Sequence, residues 1–240
     1  MPSNRVVNLI QVSMGSKRCP QKAVANICGR PALAHLIDRV RLTKRPVDTV
    51  ICAAMEPEDF VLARIADIEK VKFMVGPNED VLFRLLMAAH REDADHIVRI
   101  TADDILVDPE HIDKAIDIHL ETGADYTAWE GLPKGTEAEI ISVRVMEQCY
   151  RMYGIAAHGE FFANCIKDSG HFRIERRVVD RKYFRPYSFE INTPADLNIV
   201  RGIFEQIYQL GKIFTLEELL QFIDHNPEAL QRKFNLRIKE

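Results

Sequence analysis

The chain has 240 residues, and 32 Lys and Arg against 36 Asp and Glu give it a formal net charge of −4. Because basic residues are not in excess, the composition excludes a positive electrostatic field that would attract nucleic acid. With 47% hydrophobic and 28% charged residues, it is typical of a globular protein and excludes disordered, coiled-coil and collagen-like chains.

No apolar run approaches the roughly 18 residues that a membrane span needs, and the first residues lead into a strand-like segment rather than a signal peptide. A cytoplasmic location without membrane association is expected. The cysteines form no C-x-x-C pair and the histidines no H-x-x-x-H pattern, which favours reduced thiols and argues against a His/Cys metal site.

Apolar runs alternate with helical periodicity through the first half of the chain. The first run, residues 5–12, is rich in Val and Ile, as is typical of a strand buried on both faces. Further strands are predicted over 49–54, 71–75 and 96–101, and helices over 31–41, 57–68, 80–90 and 109–121. This alternation predicts an α/β fold.

Beyond Gly123 the alternation loosens. Thr193 as N-cap, with Asp196 in the first turn, predicts a helix that runs to about residue 210. The other predicted elements are strands over 125–129 and 139–143 and helices over 144–153, 160–166 and 215–223. The mixed stretch 172–187 carries Arg side chains that we interpret as a solvated or subunit-facing surface: Arg173, Arg176, Arg177, Arg181 and Arg185.

A loop with one glycine and three cations follows the first strand. Gly15 lies at its tight point, and Lys17, Arg18 and Lys22 fall within six positions. Free backbone N–H groups and fixed positive charge are what a triphosphate needs. A solvated basic loop fits the same pattern, so the residues alone leave both interpretations open.

Asp103 and Asp104 follow the strand predicted over 96–101 directly. Ligands of open α/β sheets bind outside the carboxyl ends of strands, so this position favours a functional interpretation, although a purely structural one stays open. Asp108, with Pro109 after it, is expected to be an ordinary helix N-cap.

Several blocks of the chain, in order, resemble a known family. Residues 9–22, LIQVSMGSKRCPQK, resemble the pattern Q-A-R-M-G-S-x-R-L-P-G-K of cytidylyltransferases that activate acidic sugars. The likeness is to the spore-coat polysaccharide branch and to the 3-deoxy-manno-octulosonate and acylneuraminate cytidylyltransferases. Further matching blocks lie at 76–84, 98–109, 123–126, 133–142 and 191–197, so the resemblance covers about residues 5 to 208.

The resemblance implies a three-layer α/β/α fold with a mixed, mostly parallel sheet, similar to Rossmann-like nucleotide-diphospho-sugar transferases. One domain would cover residues 1–240, with 131–187 as the acceptor and dimerisation region and 212–240 as a C-terminal helical extension. The implied reaction joins the anomeric hydroxyl of an acidic sugar to the α-phosphate of CTP and releases pyrophosphate, in surface polysaccharide or glycan biosynthesis. A homodimer is expected.

The resemblance also implies roles for single residues, and it places the loop and the tip of the central strand on the same polyphosphate. The catalytic set would be Arg18, Lys22 and Asp103, with Mg²⁺ held at Asp103 and Asn192. The acceptor would meet Glu137 and Glu139. The nucleotide would contact Val12, Ser13, Met14, Gly15, Ser16, Asp80, Arg84 and Thr101.

This chain departs from the family pattern at several positions. Ser13 stands where the family usually has Arg, and Asn192 stands where a second Asp often ligates metal. Gln21 replaces a Gly, and residues 104–105 and 159–162 also differ. Losing a transition-state contact typically costs about 10²–10³ in rate. Two alternatives therefore stay open: a non-catalytic nucleotide- or sugar-binding relative, or an enzyme of the same fold that uses another nucleotide or a non-sugar acceptor.

The remaining chemically interesting side chains have ordinary explanations. Trp129, Phe161 and Phe162 are expected in the core. Cys19 lies beside cations that would favour its thiolate, and we interpret it as a labelling site rather than a nucleophile. His158 and Glu160 suggest an acid–base pair, but nothing in the sequence places them near the loop.

Overall fold

The computed structural model describes residues 4–154 and 162–230. The strands are β1 (Val6–Val12), β2 (Asn26–Ile27), β3 (Arg30–Pro31), β4 (Asp48–Ala54), β5 (Lys72–Gly76), β6 (His96–Thr101), β7 (Tyr126–Glu130), β8 (Glu139–Ser142) and β9 (Ile174–Val178). The helices are α1 (Ala32–Val40), α2 (Val61–Ile68), α3 (Val81–Arg91), α4 (Pro109–Thr122), α5 (Val143–Tyr153), α6 (Phe162–Asp168), α7 (Pro194–Ile207) and α8 (Leu216–His225). Short 3₁₀ turns cover Lys22–Val24, Pro57–Phe60 and Pro227–Leu230.

The main sheet has the strand order β5-β4-β1-β6-β8-β7-β9, and β2 and β3 form a separate hairpin. Strand β8 runs antiparallel to both of its neighbours, and every other pairing in the main sheet is parallel. The carboxyl ends of β1 and β6 therefore lie side by side, with Gln11 level with Thr101. The expectation of a mixed, mostly parallel sheet is confirmed.

Two apolar clusters cover the two faces of this sheet, because successive side chains of a strand point to opposite faces. On β1, Val6 and Ile10 belong to the cluster that contains α1, α2, α4, α7 and α8 side chains. Val7 and Leu9 belong to the cluster that contains α3, α5 and α6 side chains. Helices therefore pack on both faces, which gives the three-layer α/β/α arrangement predicted above.

The elements with strong periodicity match their predicted bounds closely, and Thr193 and Asp196 form the predicted capping box of α7. Asp108 caps α4 by accepting a hydrogen bond from the His111 N–H at 3.2 Å. Phe162 is buried as expected, whereas Trp129 is only partly buried and donates its Nε1–H to the His111 carbonyl at 2.8 Å. Phe161, His158 and Glu160 lie outside the described residues.

Two features were not predicted. Strand β9 lies within the Arg-rich stretch and pairs with β7 at the edge of the sheet, with its last three residues exposed. An edge strand does not need the apolar alternation that identifies buried strands. The hairpin of β2 and β3 has only two residues per strand, too few to give a pattern. Among the described residues, no helix combines the length and the apolar character that crossing a bilayer requires.

A buried polar network lies near the amino end of β6. His119 Nε2 is 3.0 Å from His96 Nδ1, and His119 Nδ1 is 2.9 Å from Thr127 Oγ1. Since one imidazole must donate and the other accept, both cannot be protonated in this geometry. Burial and the neighbouring His96 lower the pKa of His119 to about 3. Burial also lowers the pKa of His96.

We expect this network to make the fold acid-sensitive. The pKa of His119 is lower in the folded chain than in the unfolded chain. Between these two pKa values, the unfolded chain binds a proton that the native state does not bind. The contribution of this group to the free energy of unfolding is fully present above about pH 6.5. It falls as the pH drops, by about 2 kcal/mol between pH 7 and pH 5 for one such group. Urea titrations across this range should show a smaller pH dependence in His119→Gln than in the wild type.

His171→Gln is the matched control, because that side chain is exposed. It should keep the wild-type pH dependence. An unchanged pH dependence in His119→Gln would contradict the assignment to this network.

Candidate functional site

A cavity of about 260 Å³ lies at the carboxyl edge of β1 and β6. We call it the edge cavity. It brings together nine residues that the sequence predicted: Val12, Ser13, Gly15, Ser16, Arg18, Lys22, Arg84, Thr101 and Asp103. Gln11, Ala23, Asn78, Glu79, Val81 and Ala102 complete its lining.

The loop after β1 is held by its own backbone and by one distant carboxylate. The Met14 N–H donates to Oδ1 of the buried Asp59 at 2.7 Å, and the Gln21 N–H donates back to the Met14 carbonyl at 3.3 Å. The Gly15 N–H donates to Ser13 Oγ at 3.2 Å. Gln21 has φ 57°, in the left-handed region, which explains why the family pattern has Gly at this position.

Lys22 connects the loop to the tip of the central strand. Its ammonium donates to Asp103 Oδ2 at 2.6 Å and to the Ile191 carbonyl at 3.0 Å. The Ile191 N–H in turn donates to the Asp103 carbonyl at 3.1 Å. The side chains of Lys22 and Asp103 are only 13% and 17% exposed, so water screens this pair weakly. The loop and Asp103 therefore meet in this structure, and the polyphosphate that they are expected to share stays a prediction.

A second cation of the loop lies on Asn192. Arg18 donates through Nη2 to Asn192 Oδ1 at 2.9 Å, and Asn192 donates through Nδ2 to Glu190 Oε2 at 3.0 Å. Asn192 therefore lies beside the edge cavity, bonded to one of its lining residues. The amide oxygen that the sequence assigned to a metal is occupied by a guanidinium in this structure.

The two predicted acceptor residues have different surroundings. Glu139 accepts from Arg99 Nη1 and from Tyr126 Oη, both at 2.5 Å, and Lys167 Nζ lies 3.6 Å from it. Burial would raise the pKa of Glu139, but Arg99, Tyr126 and Lys167 outweigh it and lower the pKa. Glu137 is half-buried and makes no hydrogen bond or ion pair within the described part of the chain.

Three side chains that the sequence singled out do not line the edge cavity, and the interpretation of Cys19 as a labelling site is wrong. The Met14 side chain is buried in the core and its N–H is bonded to Asp59, so it does not line the edge cavity. Asp80 caps α3 by accepting from the Phe83 N–H at 3.0 Å, and Tyr150 Oη donates to its other oxygen at 3.2 Å. Cys19 is buried, and burial raises the pKa of its thiol despite Lys22 nearby, so Cys19 is a poor labelling site.

Sequence reasoning missed Gln11, Asn78, Glu79 and Asp59. Asn78 and Glu79 lie within the matching block at 76–84, which was the available signal. Gln11 could have been found from strand alternation, since its side chain must share a face with those of Val7 and Leu9. Asp59 lies 45 residues from Met14 and carries no local signal.

A larger cavity of about 800 Å³ lies between α1, α4 and the start of α8. Its rim charges are largely paired with one another, as in Lys114 with Glu110 at 2.6 Å and Arg45 with Asp117. The loop N–H groups of Lys44 and Arg45 in its lining already donate to the Asp113 carboxylate of α4. The edge cavity is therefore the candidate site, because cations and a carboxylate converge there.

The donor set at the edge cavity suits Mg²⁺ only in part. Asp103 and Asn192 offer one carboxylate and one amide oxygen on neighbouring segments. Among the residues that the structure describes, no group of three or more His, Cys, Asp or Glu side chains is arranged to hold a metal ion. Mg²⁺ is commonly bound through one or two carboxylates together with phosphates and water, and this chemistry fits the residues present.

Gly135 allows the turn before β8 to approach the segment before α7. The Phe189 N–H donates to the Lys134 carbonyl at 2.8 Å. A Cβ at Gly135 would lie 2.7 Å from Glu190 N and 2.8 Å from the Phe189 carbonyl carbon, and φ there is +86°. Only glycine fits this close backbone contact.

Comparison with known proteins agrees with the sequence blocks. A family model described as cytidylyltransferase matches residues 7–158. The spore coat polysaccharide biosynthesis protein SpsF of Bacillus subtilis is 24% identical over 233 residues, covering 94% of this chain and 97% of that protein.

Solved structures are similar in fold. A cytidylyltransferase from Leptospira borgpetersenii superposes with a TM-score of 0.88 at 22% identity, covering 96% of this chain and 98% of that one. A CMP:2-keto-3-deoxy-manno-octonic acid synthetase complexed with CTP gives a TM-score of 0.66 at 13% identity, covering 84% and 99%. At these identities the likeness establishes the fold.

We expect Gly135→Ala to destabilise the chain through both steric clash and backbone strain. Gly123→Ala is the matched control, since Gly123 has φ +62° but no atom within 4 Å of a Cβ built there. Because of the clash, the free energy of unfolding of Gly135→Ala should be lower than that of the control by roughly 1–3 kcal/mol. If chemical denaturation shows that the two variants lose the same free energy of unfolding, the contact with residues 189–190 is not rigid.

Proposed function

Because the chain belongs to the cytidylyltransferase family, we propose that it transfers the cytidylyl group of CTP to a hydroxyl of an acidic sugar and releases pyrophosphate. The observation that carries this proposal is the contact of Lys22 with Asp103 at the edge cavity. It joins a loop rich in N–H donors and cations to the carboxylate at the end of the central strand.

The triphosphate would lie along the loop after β1. Ser16 would present its backbone N–H group, and Gly15 would turn its N–H from Ser13 Oγ toward the phosphates. Arg18 and Lys22 would offset the charge that develops on the phosphates. Both cations already have protein acceptors, Asn192 and Asp103, so their side chains are positioned before substrate arrives.

We further propose that Mg²⁺ enters with the triphosphate and is held by Asp103 and Asn192. When bound, it would withdraw electron density from the phosphates. Lys22 and Arg18 would then turn from Asp103 and Asn192 toward phosphate oxygens.

The acidic sugar is supported by relatives rather than by a contact in this chain. SpsF is named for spore coat polysaccharide biosynthesis, and one structural neighbour is a CMP:2-keto-3-deoxy-manno-octonic acid synthetase. Lys167 of α6 supplies a cation beside Glu139 on the acceptor side. The proposed pathway is the synthesis of a surface glycan.

The homodimer stays a prediction. Phe83 of α3 stacks on Tyr150 of α5 with ring centroids 5.7 Å apart, and Phe83, Met87 and Met152 are exposed apolar side chains on the same two helices. Such a surface would be covered in a dimer.

The first test removes the two charged groups that meet at the edge cavity. Lys22→Ala and Asp103→Asn should each lower pyrophosphate release from CTP and an acidic sugar by about 10²–10³-fold, because each removes an interaction with the reacting phosphates. Lys17→Ala is the matched control, since Lys17 belongs to the same loop but is exposed and does not line the cavity. It should retain turnover close to the wild type.

Wild-type turnover in either variant would overturn the roles of Lys22 and Asp103. Binding of CTP without product from any acceptor would identify the chain as a non-catalytic relative. Turnover with another nucleoside triphosphate, or with a neutral acceptor only, would assign it to a different substrate class on the same fold.

The second test concerns the neutral amide at the proposed metal site. Asn192→Asp adds a charged oxygen beside Asp103, so the concentration of Mg²⁺ that half-saturates calorimetric CTP binding should fall. Asn198→Asp on α7 introduces the same charge near Arg201 and should leave this concentration unchanged. An unchanged Mg²⁺ requirement in Asn192→Asp would place the metal elsewhere.

A further inference from the structure

Glu137 lies at the same sheet edge as the proposed nucleotide site. In the antiparallel pairing of β6 and β8, Arg99 is level with Glu139. Glu137 lies two residues before the start of β8, toward the edge where β6 ends at Thr101 and the edge cavity begins. The Thr136 carbonyl accepts the Asp108 N–H at 2.8 Å, which holds this segment against the turn after β6.

Glu137 lies close to the charged side chains of one sheet face. Ala138 and Ile140 belong to the apolar cluster on the other face. Glu139 therefore points away from that cluster and contacts Arg99, and Glu137 is near enough to Glu139 and Lys167 for their charges to act on it. Gln11 and Thr101 share that face and also line the edge cavity.

The two glutamates of this face differ in their partners. Glu139 is held by Arg99, Tyr126 and Lys167 and is thereby fixed as a structural anion. Glu137 is half-buried but has no hydrogen-bond or ion-pair partner within residues 4–154 and 162–230. A half-buried carboxylate without a donor is poorly stabilised as an anion, because it has lost hydration and gained nothing in return.

Its charged neighbours come from four segments of the chain. Glu139 and Lys134 face it from its own segment, Glu190 from the segment before α7, Lys167 from α6, and Asp104 from the turn after β6. Burial, followed by Glu190 and Glu139, raises the pKa of Glu137 to about 7, against a smaller opposing effect of Lys134 and Lys167. A group with a near-neutral pKa is a suitable general base at physiological pH.

We propose that Glu137 is the general base of the transfer reaction and accepts the proton of the attacking acceptor hydroxyl. This inference rests on the proposed cytidylyl transfer. The hydroxyl proton moves to the Glu137 carboxylate, and the electron pair left on the oxygen forms the new bond to the α-phosphorus. The bond between the α-phosphorus and the bridging oxygen breaks, its electron pair leaves with pyrophosphate, and Glu137 later returns its proton to water.

The experiment compares the pH dependence of kcat in the wild type and in Glu137→Gln. In the wild type, kcat should fall about tenfold per pH unit on the acid side of pH 7, as the base becomes protonated. Glu137→Gln should lower kcat by about 10²–10⁴-fold, remove this acid limb and leave KM for CTP unchanged. Glu137→Asp, which keeps the carboxylate, should recover part of kcat and the acid limb.

Glu130→Gln serves as the control, because Glu130 is exposed at the end of β7. It should keep the wild-type profile. A second measurement does not depend on turnover: ¹³C NMR of side-chain carboxyls should show a glutamate that titrates near pH 7 and is missing in Glu137→Gln.

The outcomes separate the inference from the proposed function. Wild-type kcat in Glu137→Gln, a reduced kcat with the acid limb retained, or a Glu137 resonance that titrates near pH 4 would each overturn the role of Glu137 alone. A wild-type chain that turns over no acceptor would overturn the proposed function, and the inference with it.

Discussion

Lys22 joins three separate segments of the chain through one ammonium group. It belongs to the loop after β1, and its Nζ contacts the Asp103 carboxylate at the end of β6 and the Ile191 carbonyl just before α7. Because the pair is mostly buried, neither charge is well hydrated, and each depends on the other for compensation. The loop, the strand tip and the start of α7 therefore hold one another in place. A polyphosphate that takes over the ammonium would release Asp103 to another cation, which couples the binding of an anionic ligand to the binding of a metal.

The alternation of strand side chains between the two faces of the sheet positions both the core residues and the site residues. On the sheet face covered by α3, α5 and α6, β1 and β6 carry apolar side chains in the middle of the sheet, such as Leu9 and Ile97, and polar ones toward the carboxyl edge, such as Gln11 and Arg99. On β8 the side chains of this face change in the same way, from the apolar Ile141 to the charged Glu139, toward the carboxyl edge of β6. Neighbouring glutamates then take opposite electrostatic roles, because Arg99, Tyr126 and Lys167 all converge on one of them. Environment rather than residue type separates a structural anion from a proton acceptor.

Much of the fold and part of the site could be predicted from the sequence. Long periodic segments such as α4 and buried strands such as β6 carry their own signal. The rule that ligands bind at strand ends favoured a functional interpretation of Asp103, and the family resemblance brought Asp103 and the loop to the same polyphosphate. Strand β9 was not predicted because its exposed Arg-rich segment lacks apolar alternation. The burial of Cys19 and the contact of Met14 with Asp59 depend on distant packing, and local sequence neighbours predict the opposite for Cys19. The residue types gave no means of distinguishing Glu137 from Glu139, since only the folded chain shows which of them Arg99 reaches.

The two departures from the family pattern at Ser13 and Asn192 compensate each other electrostatically. One replaces a cation and the other an anion, so the net charge around the edge cavity stays the same while the number of charged groups falls by two. Ser13 Oγ now accepts the Gly15 N–H and thereby closes the loop, and Asn192 still accepts from Arg18 while its amide donates to Glu190. An aspartate at 192 would have placed its negative charge against that of Glu190 unless a cation lay between them. With an amide there, the Glu190 carboxylate accepts a hydrogen bond at 3.0 Å instead of facing a like charge, so the metal that we propose would depend on the phosphates that arrive with the nucleotide.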